Sequence, residues 1–370
     1  MLARYLPQEG STTHIYTLSK ALVARGHKVA IASSGHNGSE GAIAIYEKSI
    51  ADGVDHIKMP FPLKPSFGMG GKLKQAIQYL SALPVAYSKI SAWKPDVIHV
   101  HYPVVSFLAD FYRRRTGKRY VMTYHISGIL KHPLHRKADV AIAISTSLQK
   151  EIINDFKYDA DKVVLVHNGV EIERFRNVKN RDRESSLRSI GLERYSDKTI
   201  IGFLGSINQR KGLDVLLRAA AQLDRNSFHI VLVGDGNRQW LDSLIAETGM
   251  GKSVSVFNFA DPEPFYAAFD VFVLPSRKEG FPLVAIESMV SGILTIRSNT
   301  EGAEDQIDHG VTGYLFENEN DDQLHSILHG ILREKDVNKT IAAAGQHVAI
   351  ERFSVDSMVN KTEEIYRNLA

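Results

Sequence analysis

Two glutamates eight positions apart, Glu279 and Glu287, are the residues whose types and spacing most clearly suggest chemistry. The apolar run before them ends in a turn that contains Gly280, and Pro282 suits the first turn of a helix. A helix start leaves backbone N–H groups free beside the positive end of the helix dipole, so the amides from Gly280 to Leu283 would attract an anion. We therefore predict a ligand site here, with the two carboxylates contacting different parts of one elongated ligand.

A second polar turn carries two adjacent cations, Arg210 and Lys211, between Gly205 and Gly212 and directly before a helical pattern. Cationic side chains at a helix start are a common arrangement for binding phosphate. The turn follows a predicted strand, and open α/β proteins bind ligands at the carboxyl ends of parallel strands. The two turns together predict a site for a ligand that bears phosphate.

The elements that position these turns follow a regular alternation. Short β-branched runs alternate with longer amphipathic segments, which is the pattern of parallel sheets covered by helices. The predicted strands are Lys28–Ser33, Val97–His101, Tyr120–Tyr124, Val140–Ile144, Lys162–Val166, Thr199–Leu204, His229–Val233, Ser253–Phe257, Val271–Pro275 and Leu294–Ser298. The predicted helices include Thr13–Arg25, Thr146–Asp155, Leu213–Leu223, Asn237–Glu247 and Val355–Leu369.

The length of 370 residues exceeds one ordinary core and suggests two domains. We expect an N-terminal domain over 1–170, a polar linker over 171–197 and a C-terminal domain over 198–354, followed by a terminal helix over 355–370. Residues 1–170 contain 22 Lys and Arg against 12 Asp and Glu, whereas residues 171–370 contain 23 against 30. The basic half is explained either by solubility or by contact with something anionic, such as a membrane or a phosphate-bearing acceptor.

Several classes of protein and site are excluded by composition. The chain has no cysteine, so it has no disulfide, no thiolate nucleophile and no cysteine zinc site. No apolar run approaches the ~20 residues that span a bilayer, and no signal peptide is recognisable, so we expect a soluble cytoplasmic protein. The sequence Asp159-Ala160-Asp161 has the form of a metal-binding DxD motif, but it lies away from the phosphate turns, and we expect no metal there.

The order of motifs along nearly the whole chain resembles one family, the retaining GT4 glycosyltransferases of the GT-B fold. Glu279 and Glu287 resemble that family's E-x7-E motif, and Gly205 to Gly212 resembles its phosphate loop. The remaining matches are Arg25-Gly26-His27, the strand Pro95–His101, Asn168-Gly169-Val170 followed by Phe175, and Leu232–Gly236.

The resemblance implies an α/β protein with two Rossmann-like domains whose parallel sheets face each other across an interdomain cleft. The first domain would bind the acceptor and the second the nucleotide-sugar donor, and the terminal helix would pack back on the first domain. The implied reaction moves a sugar, with retention, from a nucleoside-diphosphate sugar (a UDP-sugar is favoured) to a hydroxyl of a saccharide, glycolipid or other acceptor. We expect a role in cell-surface polysaccharide or glycolipid synthesis, no metal or other cofactor, and no nucleic-acid partner.

The resemblance also implies roles for particular residues. Lys211 would neutralise the donor diphosphate, Glu287 would bind the ribose hydroxyls, and Glu279 would face the transferred sugar. His125 resembles the catalytic-site histidine, near the C6 hydroxyl of that sugar. Ser206 departs from the family, which has arginine there, and Arg210 would substitute. The catalytic set is thus His125, Glu279 and Lys211, and the donor-binding set is Gly10, Ser11, Ser206, Arg210, Lys211, Asn258, Phe259, Ala260, Glu279, Gly280, Phe281, Pro282, Leu283 and Glu287.

Two basic or apolar segments of the first half suggest peripheral contact with an anionic membrane. The run 111–119 contains a cluster of arginines and lysines, and the stretch 66–90 carries lysines and apolar residues at helical spacing. Such a combination suits an interfacial helix, although a solvated helix end explains the charges equally well.

Three rival functions follow from parts of the same sequence. A dinucleotide oxidoreductase lacks its G-x-G-x-x-G after the first strand, because Gly234-Asp235-Gly236 has no third glycine and lies mid-chain. A glycoside hydrolase would use paired carboxylates but needs no phosphate loop. A catalytically impaired nucleotide-sugar-binding protein of the same fold is suggested by Ser206 and by the short first strand, Met1–Tyr5. The sequence names neither the sugar, the base nor the acceptor.

Overall fold

The computed structural model describes residues 1–3, 10–36, 40–62, 69–129, 132–180 and 182–369. The chain divides into two compact units, Met1–Gly169 with Val355–Ala370, and Val170–Ser354. All strand pairs in both units are parallel, and helices cover the sheets. The predicted α/β class is therefore confirmed.

The first unit contains two groups of parallel strands, β1-β2 and β3-β4-β5-β6. Leu2 forms a bridge with Ala32 on one side and with Val100 on the other, so it joins the two groups. Residues 4 and 5 of the predicted first strand lie outside the described residues. The strands are β1 (Ala30–Ser33), β2 (Asp55–Lys58), β3 (Ile98–Val100), β4 (Tyr120–Tyr124), β5 (Val140–Ala143) and β6 (Val163–Leu165).

Helices pack on this sheet, and the C-terminal helix (Val355–Leu369) packs on the first of them. Arg25, just after α1, forms ion pairs with Asp356 at 2.8 Å and Glu363 at 2.9 Å of the C-terminal helix. The hydroxyl of Tyr366 lies 2.6 Å from Nδ1 of His99. The other helices of the unit are α1 (Gly10–Ala24), α2 (Glu40–Ala51), α3 (Met69–Trp93), α4 (Ser106–Thr116) and α5 (Thr146–Asp155).

The second unit contains one six-stranded parallel sheet in the order β12-β11-β10-β7-β8-β9. This is the strand order of a Rossmann fold, in which the order reverses between the first and fourth strands and ligands bind at the carboxyl ends there. The reversal falls between β7, which leads into the turn from Gly205 to Gly212, and β10, which leads into the turn that contains Glu279 and Gly280. These are the two turns predicted to bind phosphate, called the phosphate turns below. The strands are β7 (Thr199–Leu204), β8 (Phe228–Val233), β9 (Val254–Phe257), β10 (Val271–Leu274), β11 (Leu294–Ser298) and β12 (Tyr314–Phe316).

The stretch expected as a linker, 171–197, belongs to the second unit and is folded. Its side chains Phe175 and Leu187 are buried, and Nζ of Lys179 donates to the carbonyl of Phe269 at 2.6 Å. Its short helices each bury only one or two apolar side chains, so the sequence shows no periodic apolar pattern in this stretch. The helices of the unit are α6 (Ile172–Phe175), α7 (Arg183–Ser189), α8 (Leu213–Ala221), α9 (Arg238–Glu247), α10 (Pro262–Ala268), α11 (Leu283–Val290), α12 (Ala303–Gln306), α13 (Asp321–Arg333) and α14 (Lys335–Arg352).

None of the described helices has both the length and the apolar composition needed to cross a bilayer.

Candidate active site

The two phosphate turns of the second unit touch each other. Gly212 begins α8 with a left-handed φ of 66°, and a Cβ added there would lie 1.9 Å from the carbonyl oxygen of Pro275. The N–H of Arg277 donates to the carbonyl of Arg210 at 2.8 Å. The turn after β7 and the turn after β10 are therefore held in backbone contact, which requires glycine at position 212.

Lys211 and Glu279 form a buried ion pair at this contact. The ammonium of Lys211 donates to Oε1 of Glu279 at 2.6 Å, and the two residues are 9% and 7% exposed. Burial alone would raise the pKa of Glu279, but Lys211, Ser276 and Arg210 outweigh it and hold the pKa below its ordinary value. The carboxylate is therefore ionised at neutral pH, as its predicted role requires. The structure brings these two predicted catalytic residues together.

Arg210 is the more exposed cation of the pair. Its guanidinium donates to the carbonyl of Lys278 at 3.1 Å and lies 4.0 Å from Oε2 of Glu279. Ser206 is exposed and its hydroxyl accepts a hydrogen bond from the side-chain amide of Asn208 at 2.9 Å. The turn after β7 therefore carries the positive charge of Arg210, whereas Ser206 contributes no charge.

Glu287 lies on α11, and a tyrosine that the sequence did not single out holds it. The hydroxyl of Tyr266 on α10 donates to Oε2 of Glu287 at 2.9 Å and also to the carbonyl of Val284 at 3.1 Å. Burial raises the pKa of Glu287, and the Tyr266 hydrogen bond and the charge of Arg174 partly oppose that rise. No motif links Tyr266 to Glu287 in the sequence, because they come from different strand-to-helix connections.

The turn from Gly280 to Leu283 differs in one detail from the prediction. Pro282 precedes α11 as its N-cap residue, with φ −65° and ψ 124°, rather than lying in the first turn of the helix. Phe281 is buried against Phe353, with ring centroids 5.4 Å apart. The side chain of Phe281 thus packs in the protein interior, and any contact of this turn with a ligand would come from its backbone.

Arg277 is a second residue that the sequence did not assign. Its guanidinium bonds Asp214 at 2.7 Å, Glu319 at 2.7 Å and the carbonyl of Gln209 at 2.6 Å. Gln209 and Asp214 belong to the connection from β7 to β8, and Glu319 follows β12, so Arg277 ties the turn after β10 to both of these segments. A lysine would satisfy fewer of them, because only the planar fork reaches several acceptors at once.

The predicted base-binding loop, Asn258, Phe259 and Ala260, follows β9 at the carboxyl edge of the same sheet. Phe259 is 57% exposed, and its N–H donates to Oδ1 of Asp235 at 3.0 Å. An exposed aromatic ring of this kind is suited to stacking on a flat base.

Gly10 and Ser11 of the first unit lie in α1. The hydroxyls of Ser11 and Tyr102 are 3.2 Å apart. The residues just before Gly10 lie outside the described part of the chain. The donor-binding role of Gly10 and Ser11 stays a prediction.

His125 follows β4 and belongs to a buried histidine cluster. Its Nε2 lies 3.1 Å from Nδ1 of His101, and its ring centroid is 4.9 Å from that of His14. Burial lowers the pKa of all three, that of His14 to about 4, so the imidazoles are neutral. One nitrogen from each lies within 4.8 Å of the others, which makes this the group among the described residues that could hold a metal ion. Of these three histidines, only His125 was predicted from the sequence as a site residue. The Asp159 carboxylate of the DxD-like segment is instead paired with Lys162 at 3.0 Å on the surface.

Comparison with protein families and solved structures decides the identity. The family model described as Glycosyl transferases group 1 matches residues 189–348, and the model described as Glycosyltransferase Family 4 matches residues 9–174. Together they cover most of both units. The chain is a GT-B glycosyltransferase.

Relatives of this glycosyltransferase include proteins of archaea and bacteria. It is 25% identical to an uncharacterised glycosyltransferase of Methanocaldococcus jannaschii over 97% of this chain and 94% of that protein. It is also 25% identical to the capsular polysaccharide biosynthesis glycosyltransferase CapM of Staphylococcus aureus over 61% of this chain and 60% of that protein.

Two solved structures share the fold of the glycosyltransferase. A glycosyltransferase from Rickettsia africae ESF-5 matches with a TM-score of 0.81 at 21% identity, covering 100% of this chain and 98% of that one. HepE of Anabaena, in complex with UDP-glucose, matches with a TM-score of 0.78 at 21% identity, covering 100% of both chains.

Proposed function

We propose that this glycosyltransferase transfers a sugar from a nucleoside-diphosphate sugar, with a UDP-sugar favoured, to a hydroxyl of a saccharide or glycolipid acceptor. The configuration at the anomeric carbon is retained and no metal ion is needed. The buried Lys211–Glu279 pair at the start of α11 carries this proposal, because it joins a cation for phosphate to a carboxylate for sugar hydroxyls. The binding of UDP-glucose by the similarly folded HepE supports the choice of UDP.

The leaving diphosphate would be stabilised by fixed positive charge. Lys211 has three N–H donors and gives one to Glu279, so two remain for phosphate oxygens. Arg210 lies 4.0 Å from the same carboxylate and adds a second cation. The positive end of the α11 helix dipole adds to this charge. Such preorganised charge is usually the largest single contribution to catalysis, and here it takes the part that a metal ion plays in other transferases.

The sugar is transferred on one face. The acceptor oxygen forms a bond to the anomeric carbon on the side from which the diphosphate leaves, and a phosphate oxygen takes the acceptor's proton. Glu279 accepts hydrogen bonds from hydroxyls of the transferred sugar and is not a nucleophile. His125, which is neutral, is assigned to the C6 hydroxyl of that sugar as a hydrogen-bonding partner.

The nucleoside would be held by Glu287 and the loop after β9. The Tyr266 hydroxyl occupies only one lone pair of the Glu287 carboxylate, so the carboxylate keeps acceptor sites for both ribose hydroxyls. The exposed ring of Phe259 is placed to stack on the base. These contacts distinguish a nucleotide-sugar site from a plain glycoside site.

The acceptor is assigned to cell-surface polysaccharide or glycolipid synthesis, on the cytoplasmic face of a membrane. The likeness to CapM, named for capsular polysaccharide biosynthesis, supports this assignment. On α3, three large apolar side chains at helical spacing are exposed: Leu73 at 67%, Ile77 at 60% and Leu80 at 50%. The exposed Lys74 adds positive charge beside them, and we propose that this surface contacts anionic lipid.

The arginines of the run 111–119 contribute less charge to such a contact than their number suggests. Arg113 and Arg114 both pair with Asp110, at 2.7 Å and 2.8 Å. Arg119 donates to the last carbonyls of the C-terminal helix.

Flotation with anionic and with neutral liposomes tests the apolar surface of α3. Leu80→Glu should abolish binding to anionic liposomes, and Gln78→Glu, on a polar face of the same helix, should not. Equal flotation of both liposome types would remove the membrane contact from the proposal.

A screen of donors tests the proposed reaction. We expect UDP-sugars to raise the melting temperature more than GDP- or ADP-sugars, because a ligand that binds only the folded state stabilises it. The donor that binds is then incubated with candidate acceptors, and the anomeric configuration of the product is read by NMR. Transfer with inversion would contradict the front-side route, and binding without any turnover would indicate an impaired relative.

A further inference from the structure

A buried arginine lies on β11, the strand that pairs with β10, and β10 leads into the turn that carries Glu279. Arg297 is the fourth residue of β11, which pairs with β10 so that Arg297 stands opposite Leu274, the residue that ends β10. Its side chain is fully buried. Arginine is almost never fully buried unless its charge is paired, because removing the charge from water is costly.

The partners of Arg297 are neutral. Its guanidinium donates to the side-chain oxygen of Gln306, to the hydroxyl of Thr300 at 2.9 Å and to the carbonyl of Glu301 at 3.4 Å. Its Nε has no hydrogen-bond partner among the described residues. No described carboxylate forms an ion pair with it, so its charge is balanced only at longer range.

The negative charges of Glu279, Glu301 and Asp305 favour the charged form of Arg297 and partly oppose the effect of its burial. Burial lowers the pKa of Arg297 to about 10, which leaves it charged at neutral pH. Lys211 and Arg210 lie 2.6 Å and 4.0 Å from the oxygens of Glu279. Since the attraction between two charges is mutual, Arg297 also favours the ionised form of Glu279, alongside these two cations.

Gln306 extends the influence of Arg297 to the backbone of the turn. While its oxygen accepts from Arg297, its Nε2 donates to the carbonyl of Pro282 at 3.1 Å. The next residue of β11, Ser298, donates to the carbonyl of Ser276, at the other end of the same turn. Both ends of the turn from Ser276 to Pro282 are thus fixed to side chains of β11 and α12.

We propose that Arg297 is a positioning residue of the donor site, which balances the charge of Glu279 and, through Gln306, fixes the turn whose amides face the donor. This inference rests on the proposed function for the identity of the ligand. The charge of Arg297 adds to those of Lys211 and Arg210 in favouring ionised Glu279, and the Gln306 bridge holds the backbone of the turn from Gly280 to Leu283 in place. The two effects are separable by substitution.

The effect of charge is measured on the ligand-free protein. The pKa of Glu279 is followed by NMR of carboxyl-labelled glutamate, with Glu279→Gln assigning the resonance. Arg297→Met, which removes the charge and keeps much of the volume, should raise this pKa by about one unit. Arg297→Lys should restore it, and Arg188→Met, which removes an exposed arginine of α7, should not change it. If Arg297→Met fails to fold, Arg297→Gln takes its place.

The effect of the bridge is measured with the donor identified by the melting screen. Gln306→Leu should raise the donor KM about tenfold and leave the pKa of Glu279 unchanged. Arg297→Met should raise both the donor KM and the pKa of Glu279. The acid limb of its kcat/KM profile should therefore move upward by about one pH unit, since Glu279 must be ionised. A merely structural role would lower stability without moving that limb.

The two failures are distinguishable. An unchanged pKa of Glu279 in Arg297→Met, together with an unchanged donor KM in Gln306→Leu, would overturn the inference even if the wild type transfers sugar. A wild type that binds no nucleotide sugar would overturn the proposed function, whereas the pKa of Glu279 would still decide whether Arg297 balances its charge.

Discussion

The Lys211–Glu279 ion pair makes a prediction that needs no substrate. Both residues are under 10% exposed, and their 2.6 Å contact is the only close ion pair that the structure gives to Lys211 among the described residues. Removing one member of a buried pair strands the other charge in the interior and costs about 3–5 kcal/mol, whereas removing both costs far less. Lys211→Met keeps the aliphatic stem and Glu279→Gln keeps the shape, so each removes mainly charge.

We therefore expect Lys211→Met to lower the free energy of unfolding of the second unit by about 3 kcal/mol, which is more than a hundredfold in the equilibrium constant. The double variant Lys211→Met/Glu279→Gln should recover most of that loss. The pair's coupling energy follows from the double-mutant cycle.

Urea unfolding reports this energy unit by unit. The chain has two tryptophans, and Trp93 lies in the first unit while Trp240 lies in the second. Fluorescence in a Trp93→Phe background thus follows the second unit alone, and linear extrapolation gives its unfolding free energy. A double variant that loses the full sum of both single losses would refute the reasoning, because it would show no coupling between the two charges.

Three further predictions concern single positions. Gly212→Ala should destabilise the second unit by more than about 1 kcal/mol, because its Cβ would meet a carbonyl oxygen at 1.9 Å and its φ is positive. Gly251→Ala, whose Cβ meets nothing within 4 Å, should change the stability by no more than about 0.5 kcal/mol. Urea unfolding measures both variants, and equal losses would contradict the close contact at Gly212. Tyr266→Phe removes the hydrogen bond to Glu287 and should weaken UDP binding about tenfold by calorimetry, so unchanged affinity would remove Tyr266 from the site. His14 has a pKa of about 4 in the folded state against 6.5 unfolded, so the unfolded chain binds more protons between these values and stability is lost as pH falls through them. Between pH 7 and pH 5 the first unit should lose about 2 kcal/mol more in the wild type than in His14→Gln, and parallel pH profiles of the two would contradict the buried neutral imidazole.

The sequence predicted those parts of the fold in which local composition and burial agree. Strands β4, β7 and β11 and helix α5 have the predicted bounds, because each is a continuous apolar or periodic run that ends at a turn residue. Strand β2 was missed because its sequence, Asp-His-Ile-Lys, lies at the sheet edge and is not fully buried. The folded state of the stretch 171–197 was missed for a related reason, since single apolar residues such as Phe175 carry its packing.

The site was predictable where one motif supplied both position and chemistry. Glu279 and Lys211 come from separate motifs, and the Rossmann strand order brings their turns together. The supports of those turns were not predictable, because Tyr266, Arg277 and Arg297 act on residues far away in sequence through contacts that exist only in the folded sheet. A charged residue inside a predicted strand, such as Arg297, is the one sequence signal that indicates such a supporting residue, since a buried strand rarely contains an unpaired cation.

The central claim is that the second unit binds a nucleoside diphosphate through Lys211 and the amides at the start of α11. Calorimetric titration with UDP tests it most directly, in the wild type, in Lys211→Met and in Arg188→Met. The account predicts binding to one site in the wild type, affinity at least tenfold weaker in Lys211→Met and no change in Arg188→Met. Equal affinity in Lys211→Met and wild type, or no binding of UDP, GDP or ADP by the wild type, would contradict it.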